Sequence, residues 1–328
     1  METKMKPFSK NILVLENIEA VCEEICKKIR VDVKMQLKRR GAIIGISGGI
    51  DSSVVLALAT RALGAENVLG IMLPERDSSP DSLILAQKLA DKFGVKTIVE
   101  DITPALDGLG CYQRRDKAIS GVFPEFKPAQ DKAKIEIKQN IGQNIPSVFS
   151  VTIVSPDGLE KSKLLPAKEY LQIVASTNFK QRSRMSMLYY HAERLHFAVI
   201  GTPNKHELEQ GFFVKYGDGG ADVMPIAHLY KTQVYQLAEY LAVPQEIIER
   251  TPTTDTYSAE QTQEAFFYQL PFEEMDLLWF GWESNYPPEE VADVLNKSVE
   301  EIRNIYKNFE RKRNTTEYLR SAPIYQYS

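Results

Sequence analysis

The chain has 328 residues, 43% hydrophobic and 26% charged, the make-up of one large or two smaller globular domains with a real core, which excludes wholesale disorder. Forty Lys and Arg against 44 Asp and Glu leave a net charge of −4, without the basic surplus of a dedicated nucleic-acid binder. No run approaches the roughly 18 apolar residues of a membrane span, and residues 1–15 carry no apolar signal core; three cysteines make no even framework, so the cytoplasm is the expected compartment.

Ile18, Val21, Cys22, Ile25, Cys26 and Ile29 keep helical spacing and predict an amphipathic helix with both thiols on its apolar face. Core packing explains those thiols better than a metal, because two sulfurs do not complete a tetrahedral site. Residues 42–46 read as a buried strand, followed by Ser47-Gly48-Gly49-Ile50-Asp51-Ser52-Ser53 and an apolar helix over 54–63 that ends at Gly64. A second strand is expected over 68–73. Ser79 and Pro80 then start a helix that closes at Gly94, and 95–99 supplies a third strand. This alternation predicts an α/β fold, a doubly wound and mostly parallel sheet with right-handed crossovers.

The pattern breaks over 110–166, where five prolines punctuate a charged stretch with one hairpin at Pro156-Asp157-Gly158; it reads as an inserted lid or subdomain. Helical periodicity resumes over 167–195, and 197–200 forms a strand running into Gly201-Thr202, a second exit at the same sheet edge. After Lys231 the chain is mostly helical and ends in a long amphipathic helix with Ser298 and Glu301 as a capping box. The expected division is a catalytic domain over 1–255, with the insertion at about 110–166, and a helical C-terminal region over 256–328.

Glycines after a strand expose backbone N–H groups, and the following helix points its positive end at the same spot, so residues 45–53 form a nest for phosphates. The lysine of a Walker loop is absent, and the glycine spacing does not match a dinucleotide fingerprint. A plain capped turn explains an isolated glycine pair, but not Ser-Gly-Gly-x-Asp-Ser between strand and helix. The four histidines form neither a zinc motif nor a Ser-His-Asp arrangement. His206 and Glu207, as helical neighbours, point in different directions.

The segment resembles the pyrophosphatase loop of ATP-dependent adenylating synthetases. Leu73-Pro74 with Ser78-Ser79, Asn178-x3-Arg182-x-Arg184, Gly201-Thr-Pro-Asn-Lys-His-Glu207, the run from Gly211 to Asp222 and Lys231-Thr-Gln then follow in the order seen in NAD synthetases, over roughly residues 17–255. The resemblance implies an adenine nucleotide hydrolase-like fold. It also implies ammonia-dependent amidation of deamido-NAD through an acyl-adenylate, with ATP and Mg²⁺ and release of AMP and pyrophosphate. By the same resemblance, Ser47, Gly48, Gly49, Ser52 and Ser53 hold pyrophosphate, and Asp51 and Glu207 are Mg²⁺ ligands. Arg184, Thr202 and Thr253 contact ATP; Lys215 and Lys231 neutralise phosphate. Asp218 lies beside the amidated carboxyl group, and Asn178, Arg182 and Asp222 belong to the dinucleotide site. A homodimer with α-helical contacts around residues 178–190 is implied as well, because Met185, Met187, Leu188, Tyr189 and Tyr190 widen that helix's apolar face. The residues before the loop are too few for a fused glutaminase, so ammonia is expected free or from a separate glutaminase.

Gln181, Leu85, Thr262-Gln263-Glu264 and the long insertion depart from the family pattern at loops that shape the substrate pocket. Amidation of a different carboxylate by the same adenylate chemistry is therefore the alternative. The aromatic run 266–282 is read as helical packing, with a stacking surface as the sharper option. Two further readings carry less. Residues 287–313 have helix-turn-helix spacing with Arg303, Lys307, Arg311, Lys312 and Arg313 on the second helix, and tRNA-thiolating relatives of the loop commonly use Cys-x-x-Cys, which this chain lacks.

Overall fold

In the computed structural model, which describes residues 6–138, 148–253, 257–259 and 262–325, strands and helices alternate as the apolar runs predict. Helix α1 (Ile18–Arg30), capped by Asn17, buries Ile25, Ile29 and both cysteines. Strand β1 (Ala42–Gly45), α2 (Ile50–Leu63), β2 (Val68–Met72), α3 (Pro80–Phe93) and β3 (Lys96–Val99) follow. Helix α2 starts at Ile50, ahead of the predicted residue 54. The cause is local: the Ser52 and Ser53 hydroxyls donate to the Gly49 carbonyl at 3.0 and 2.8 Å and wind these residues into the first turn.

Helices α4 (Thr103–Gly108) and α5 (Cys111–Val122) lead into strands β4 (Lys132–Lys138), β5 (Val148–Val154) and β6 (Glu160–Leu164), an antiparallel meander. Its β5–β6 turn is the hairpin predicted at Pro156-Asp157-Gly158, with Gly158 at φ 81°. Helix α6 (Ala167–Leu195) has its predicted span. Strand β7 (Ala198–Ile200) precedes α7 (Lys205–Gln210), α8 (Lys231–Tyr240) and α9 (Gln245–Ile248), and the chain ends in α10 (Phe272–Glu283), α11 (Pro288–Leu295) and α12 (Val299–Arg320). Ser298 caps α12 by accepting the Glu301 N–H at 3.1 Å.

The main sheet has the order β3-β2-β1-β7, with every pairing parallel. Strands β1 and β2 are buried on both faces, which is why they read as unbroken apolar runs. One face packs Ile44 and Met72 with α1, α2 and α8; the other packs Ile43, Ile71 and Val199 with Met185 and Leu188 of α6. Strand order reverses between β1 and β7, so the loops leaving these strands open a crevice at the carboxyl edge.

Of the two expected readings of the insertion, lid or subdomain, the packing is that of a subdomain. Ala133, Ile135, Val151 and Ile153 of its sheet bury against Ala118, Ile119 and Phe123 of α5 and Ile173 of α6. Tyr257 joins the same cluster, and Ala259 N–H donates to the Ala133 carbonyl at 3.1 Å. Phe272, Met275, Leu278 and Trp279 are buried, as helical packing requires. Their cluster also takes in Phe8, Leu13 and Tyr230, so the C-terminal helices share a core with the N-terminal segment and the start of α8. The expected boundary at residue 255, with Thr254 and Asp255, lies outside the described residues, as do residues 1–5. Of the basic residues of the helix-turn-helix spacing only Lys312 turns inward, to Gln210; Arg303, Lys307, Arg311 and Arg313 are exposed, with Arg303 paired to Glu289, Arg311 to Asn308, and Arg313 3.6 Å from Glu209. Among the described residues no helix is long and apolar enough to cross a membrane.

Candidate active site

A cavity of about 750 Å³ opens at the carboxyl edge, over the crevice between β1 and β7. Its floor is Ile46, Ser47, Gly49, Asp51 and Ser52. Gly48 stands behind the wall at φ 73°, and a Cβ there would sit 2.6 Å from the Ser82 carbonyl oxygen. Only glycine fits both the left-handed conformation and that approach of α3. Ser53 is also behind the wall, fully buried, with its hydroxyl spent on Gly49.

The charged centre is assembled from three elements. Asp51 projects from the first turn of α2, and Lys231, the first residue of α8, places Nζ 2.5 Å from Asp51 Oδ2. Asn204 caps α7: its side-chain amide donates to Asp51 Oδ1 at 3.1 Å, while its backbone N–H donates to Glu207 Oε2 at 3.0 Å. Glu207 is pushed up to about 8, by burial first and then by the neighbouring Asp51 charge. Burial works against the Lys231 ammonium, but Asp51 and Glu207 outweigh it and hold its pKa above the ordinary value. Two carboxyl groups thus face the cavity over one ammonium buried behind them, an arrangement with room for a further cation.

The remaining walls come from four places. Asn178, Gln181, Arg184 and Leu188 face in from α6, and Arg184 Nε donates to the Leu73 carbonyl at 3.3 Å. Thr202 follows β7, and Thr253 follows α9. Asp218 lines the cavity, accepts the Val214 N–H at 2.8 Å and is raised to about 6 by burial. Phe149 and Tyr170, stacked at 4.0 Å, and Tyr257 form the side nearest the inserted sheet.

Besides Gly48 and Ser53, four expected site residues lie off the wall, the first being Lys231, fully buried behind Asp51. Lys215 Nζ donates to the Tyr318 and Ser321 carbonyls at 2.9 and 2.8 Å, tying it to the end of α12. Arg182 is exposed and donates to the Lys215 carbonyl at 3.3 Å. Asp222 accepts the Val199 N–H at 2.8 Å and the Tyr189 hydroxyl at 2.9 Å, a clasp between β7 and α6. Other residues of the site went unread in the sequence. Asn204 was legible, since Asn followed three residues later by Glu is a capping-box pattern. Lys312, Thr315, Thr316 and Leu319 share one face of α12, but nothing local says that this face meets the cavity.

Lys180 is buried on α6 and bonds Glu75 at 2.9 Å and Asp77 at 2.8 Å, with Arg115 also on Asp77 at 2.5 Å. Burial opposes ionisation of Asp77, yet Lys180 and Arg115 hold its carboxyl below the ordinary range. This network pins the loop from Pro74 to Ser79, another part of the cavity wall, to α5 and α6. His206 turns away from the cavity, as its place beside Glu207 predicted.

A parallel sheet with a glycine nest at its switch point, faced by carboxylates and a lysine, defines a nucleotide-binding α/β protein of the pyrophosphatase-loop class. The pattern described as NAD synthase matches residues 21–121 and 117–318. An NH(3)-dependent NAD(+) synthetase of Rhizobium meliloti (strain 1021) is 46% identical over 316 residues, covering 96% of this chain and 94% of its own. One from Mesorhizobium japonicum is 47% identical over 305 residues, covering 93% and 95%. The solved NH3-dependent NAD synthetase of Campylobacter jejuni, in complex with the nitrate ion, has the same fold: TM-score 0.62, 21% identity, 95% of this chain and 99% of its own. The chain belongs to the NAD synthase family.

Proposed function

We propose that the protein converts deamido-NAD to NAD with ammonia, consuming ATP through an acyl-adenylate and releasing AMP and pyrophosphate. The observation that carries this reading is the meeting, in one cavity, of the glycine nest, the carboxyl groups of Asp51 and Glu207, with Lys231 buried behind Asp51, and the α6 residues Asn178 and Arg184. In the first step a carboxylate oxygen of the acid bonds to the α-phosphorus of ATP as the bond to the bridging oxygen breaks. In the second, the ammonia nitrogen bonds to the activated carbonyl carbon, gives up a proton, and AMP departs with the former carboxylate oxygen.

Backbone N–H groups of the loop and the start of α2, with Ser47 and Ser52, hold the leaving pyrophosphate. Gly48, Gly49 and Ser53 shape that nest. Arg184, Thr202 and Thr253 hold the nucleotide. Lys231 keeps Asp51 aimed, and Lys215 reaches phosphate once it releases the Tyr318 and Ser321 carbonyls. Asp218, ionised above about pH 6, is the carboxylate beside the group being amidated. Asn178 and exposed Arg182 hold the acid, and Asp222 braces β7 against α6.

Asp51 and Glu207 are hard oxygen donors on one cavity wall, with the Lys231 ammonium behind them, which fits Mg²⁺. Among the described residues no group of three or more His, Cys, Asp or Glu could hold a metal by itself, so a shell shared with ATP phosphates suits the site. Bound there, Mg²⁺ neutralises charge on the phosphates.

The protein works in the cytoplasm as a homodimer, with ammonia free or delivered by a separate glutaminase. Leu188 cannot serve the dimer, because it packs inside the chain against Gly45. Exposed Leu164, Leu171 and Tyr190 are better placed. Sedimentation at micromolar concentration should give twice the chain mass, and Leu171→Lys with Tyr190→Glu should give monomers. The deciding assay measures AMP and pyrophosphate from a panel of carboxylates with ATP, Mg²⁺ and ammonium. Turnover of another acid with none on deamido-NAD would overturn the substrate.

A further inference from the structure

Asp276 belongs to α10, in the aromatic C-terminal segment that the sequence reading left to packing. It is fully buried, and its two oxygens serve two different helices. Oδ1 accepts from His206 Nε2 at 2.6 Å, and Oδ2 accepts the Thr232 backbone N–H at 2.7 Å. His206 directly precedes Glu207 on α7, and Thr232 directly follows Lys231 at the start of α8. One carboxylate therefore grips the chain next to two members of the charged cluster that come from separate elements.

The donors and acceptors around it leave a single assignment. Lys312 Nζ donates to Gln210 Oε1 at 3.0 Å and to the Phe267 carbonyl at 3.4 Å, and the Gln210 amide nitrogen turns to His206 Nδ1 at 3.1 Å. His206 Nδ1 then accepts, and Nε2–H donates to Asp276. Gln210, His206 and Asp276 are each no more than 1% exposed, so water does not compete. The His206 ring is also wedged edge-on against Tyr230 at 5.6 Å and Trp279 at 5.9 Å. A charge-assisted bond in a dry site, with its ring held by packing, is stiff.

We propose that Asp276 and His206 are a positioning pair for the reaction: they set the separation of α7 from the start of α8, and so the approach of Glu207 to the Asp51–Lys231 pair. Neither touches substrate. The inference rests on reading Asp51, Glu207 and Lys231 as the cluster that receives Mg²⁺ and ATP phosphates.

The test uses the full chain and titrates Mg²⁺ calorimetrically in the presence of a non-hydrolysable ATP analogue, alongside steady-state kinetics. Asp276→Asn keeps the volume and an acceptor for Thr232 but removes the charge. His206→Ala removes the donor, and His206→Gln returns an amide donor to Asp276. Asp276→Asn and His206→Ala should each weaken Mg²⁺ binding about 10- to 100-fold and lower kcat by a similar factor, with KM for the acid within about twofold. His206→Gln should recover most of both. If Asp276→Asn does not fold, the comparison of His206→Ala with His206→Gln decides. Wild-type Mg²⁺ affinity in both Asp276→Asn and His206→Ala, no recovery with Gln, or a loss confined to KM for the acid would overturn the pair while the functional reading stands. A wild-type protein that binds neither Mg²⁺ nor the analogue overturns both.

Discussion

Replacing Lys231 by Met removes a charge whose side chain is fully buried and 2.5 Å from Asp51, while keeping most of its length. What is left is Asp51 beside Glu207, a carboxyl that already holds its proton up to about 8 with the ammonium in place. Removing one partner of a buried ion pair costs about 3–5 kcal/mol, because the other charge stays in a dry site. The Asp51 side chain is 14% exposed, so some water reaches it and the lower half of that range applies. At roughly 2 °C per kcal/mol for a chain of this size, Tm should fall by about 6–8 °C at pH 7. Mg²⁺ should return part of the loss by supplying the missing positive charge, whereas kcat should stay at least about a hundredfold down, since the group that aims Asp51 is gone. Calorimetric melting with and without Mg²⁺ checks the first effect and AMP release the second. A variant that melts within about 2 °C of wild type would refute the argument that Lys231 holds the cluster together.

Asp218→Asn tests the burial of a second carboxylate. Its folded pKa, about 6, lies above its ordinary 3.8, so the stability tied to its proton is complete below pH 3.8 and lost as pH rises through 6; the cost of the charge is on the order of 2–3 kcal/mol. The variant, with an amide oxygen still available to Val214, should melt higher than wild type at pH 8 and equal to it near pH 4, and a constant difference across that range would contradict this. Gly48→Ala forces a Cβ to 2.6 Å from the Ser82 carbonyl at φ 73°, so it should lose about 2 kcal/mol or more in urea unfolding and weaken ATP binding at least about tenfold. Asp51→Asn and Glu207→Gln should each cut turnover about a hundredfold; Glu207→Gln should melt close to wild type, whereas Asp51→Asn, which leaves the buried Lys231 ammonium without its partner, should also melt lower, and near wild-type rates at limiting Mg²⁺ would remove that residue from the metal site.

How far the sequence reaches is clearest at β1 and α2. Apolar runs of strand length, glycines with a left-handed turn, and a serine-rich helix start are local features, and they alone locate the parallel core and the phosphate nest. The same holds for α6, whose span follows from uninterrupted helical periodicity between Pro166 and His196. The motif order then points to the family and its chemistry, because residues gathered at one sheet edge must recur in the order of the strands that carry them.

Tertiary structure alone decided which of those residues meet. The pairing of Lys231 with Asp51 and the bridge from Asn204 to both carboxylates join positions from three elements, and no local pattern encodes those distances. The charge of Lys215 looked equal to that of Lys231, yet it is tied to the end of α12, while Lys312 on that helix reaches the cavity. The insertion behaves likewise: its prolines and charges read as a lid or subdomain; alternation within β4 and β5 buries one face against α5 and α6, and that burial makes it a wall. Periodicity fixes which side of an element is apolar. Only the packing of the whole chain selects the neighbour that covers it, because many partners satisfy the same hydrophobic face and one arrangement buries them all at once.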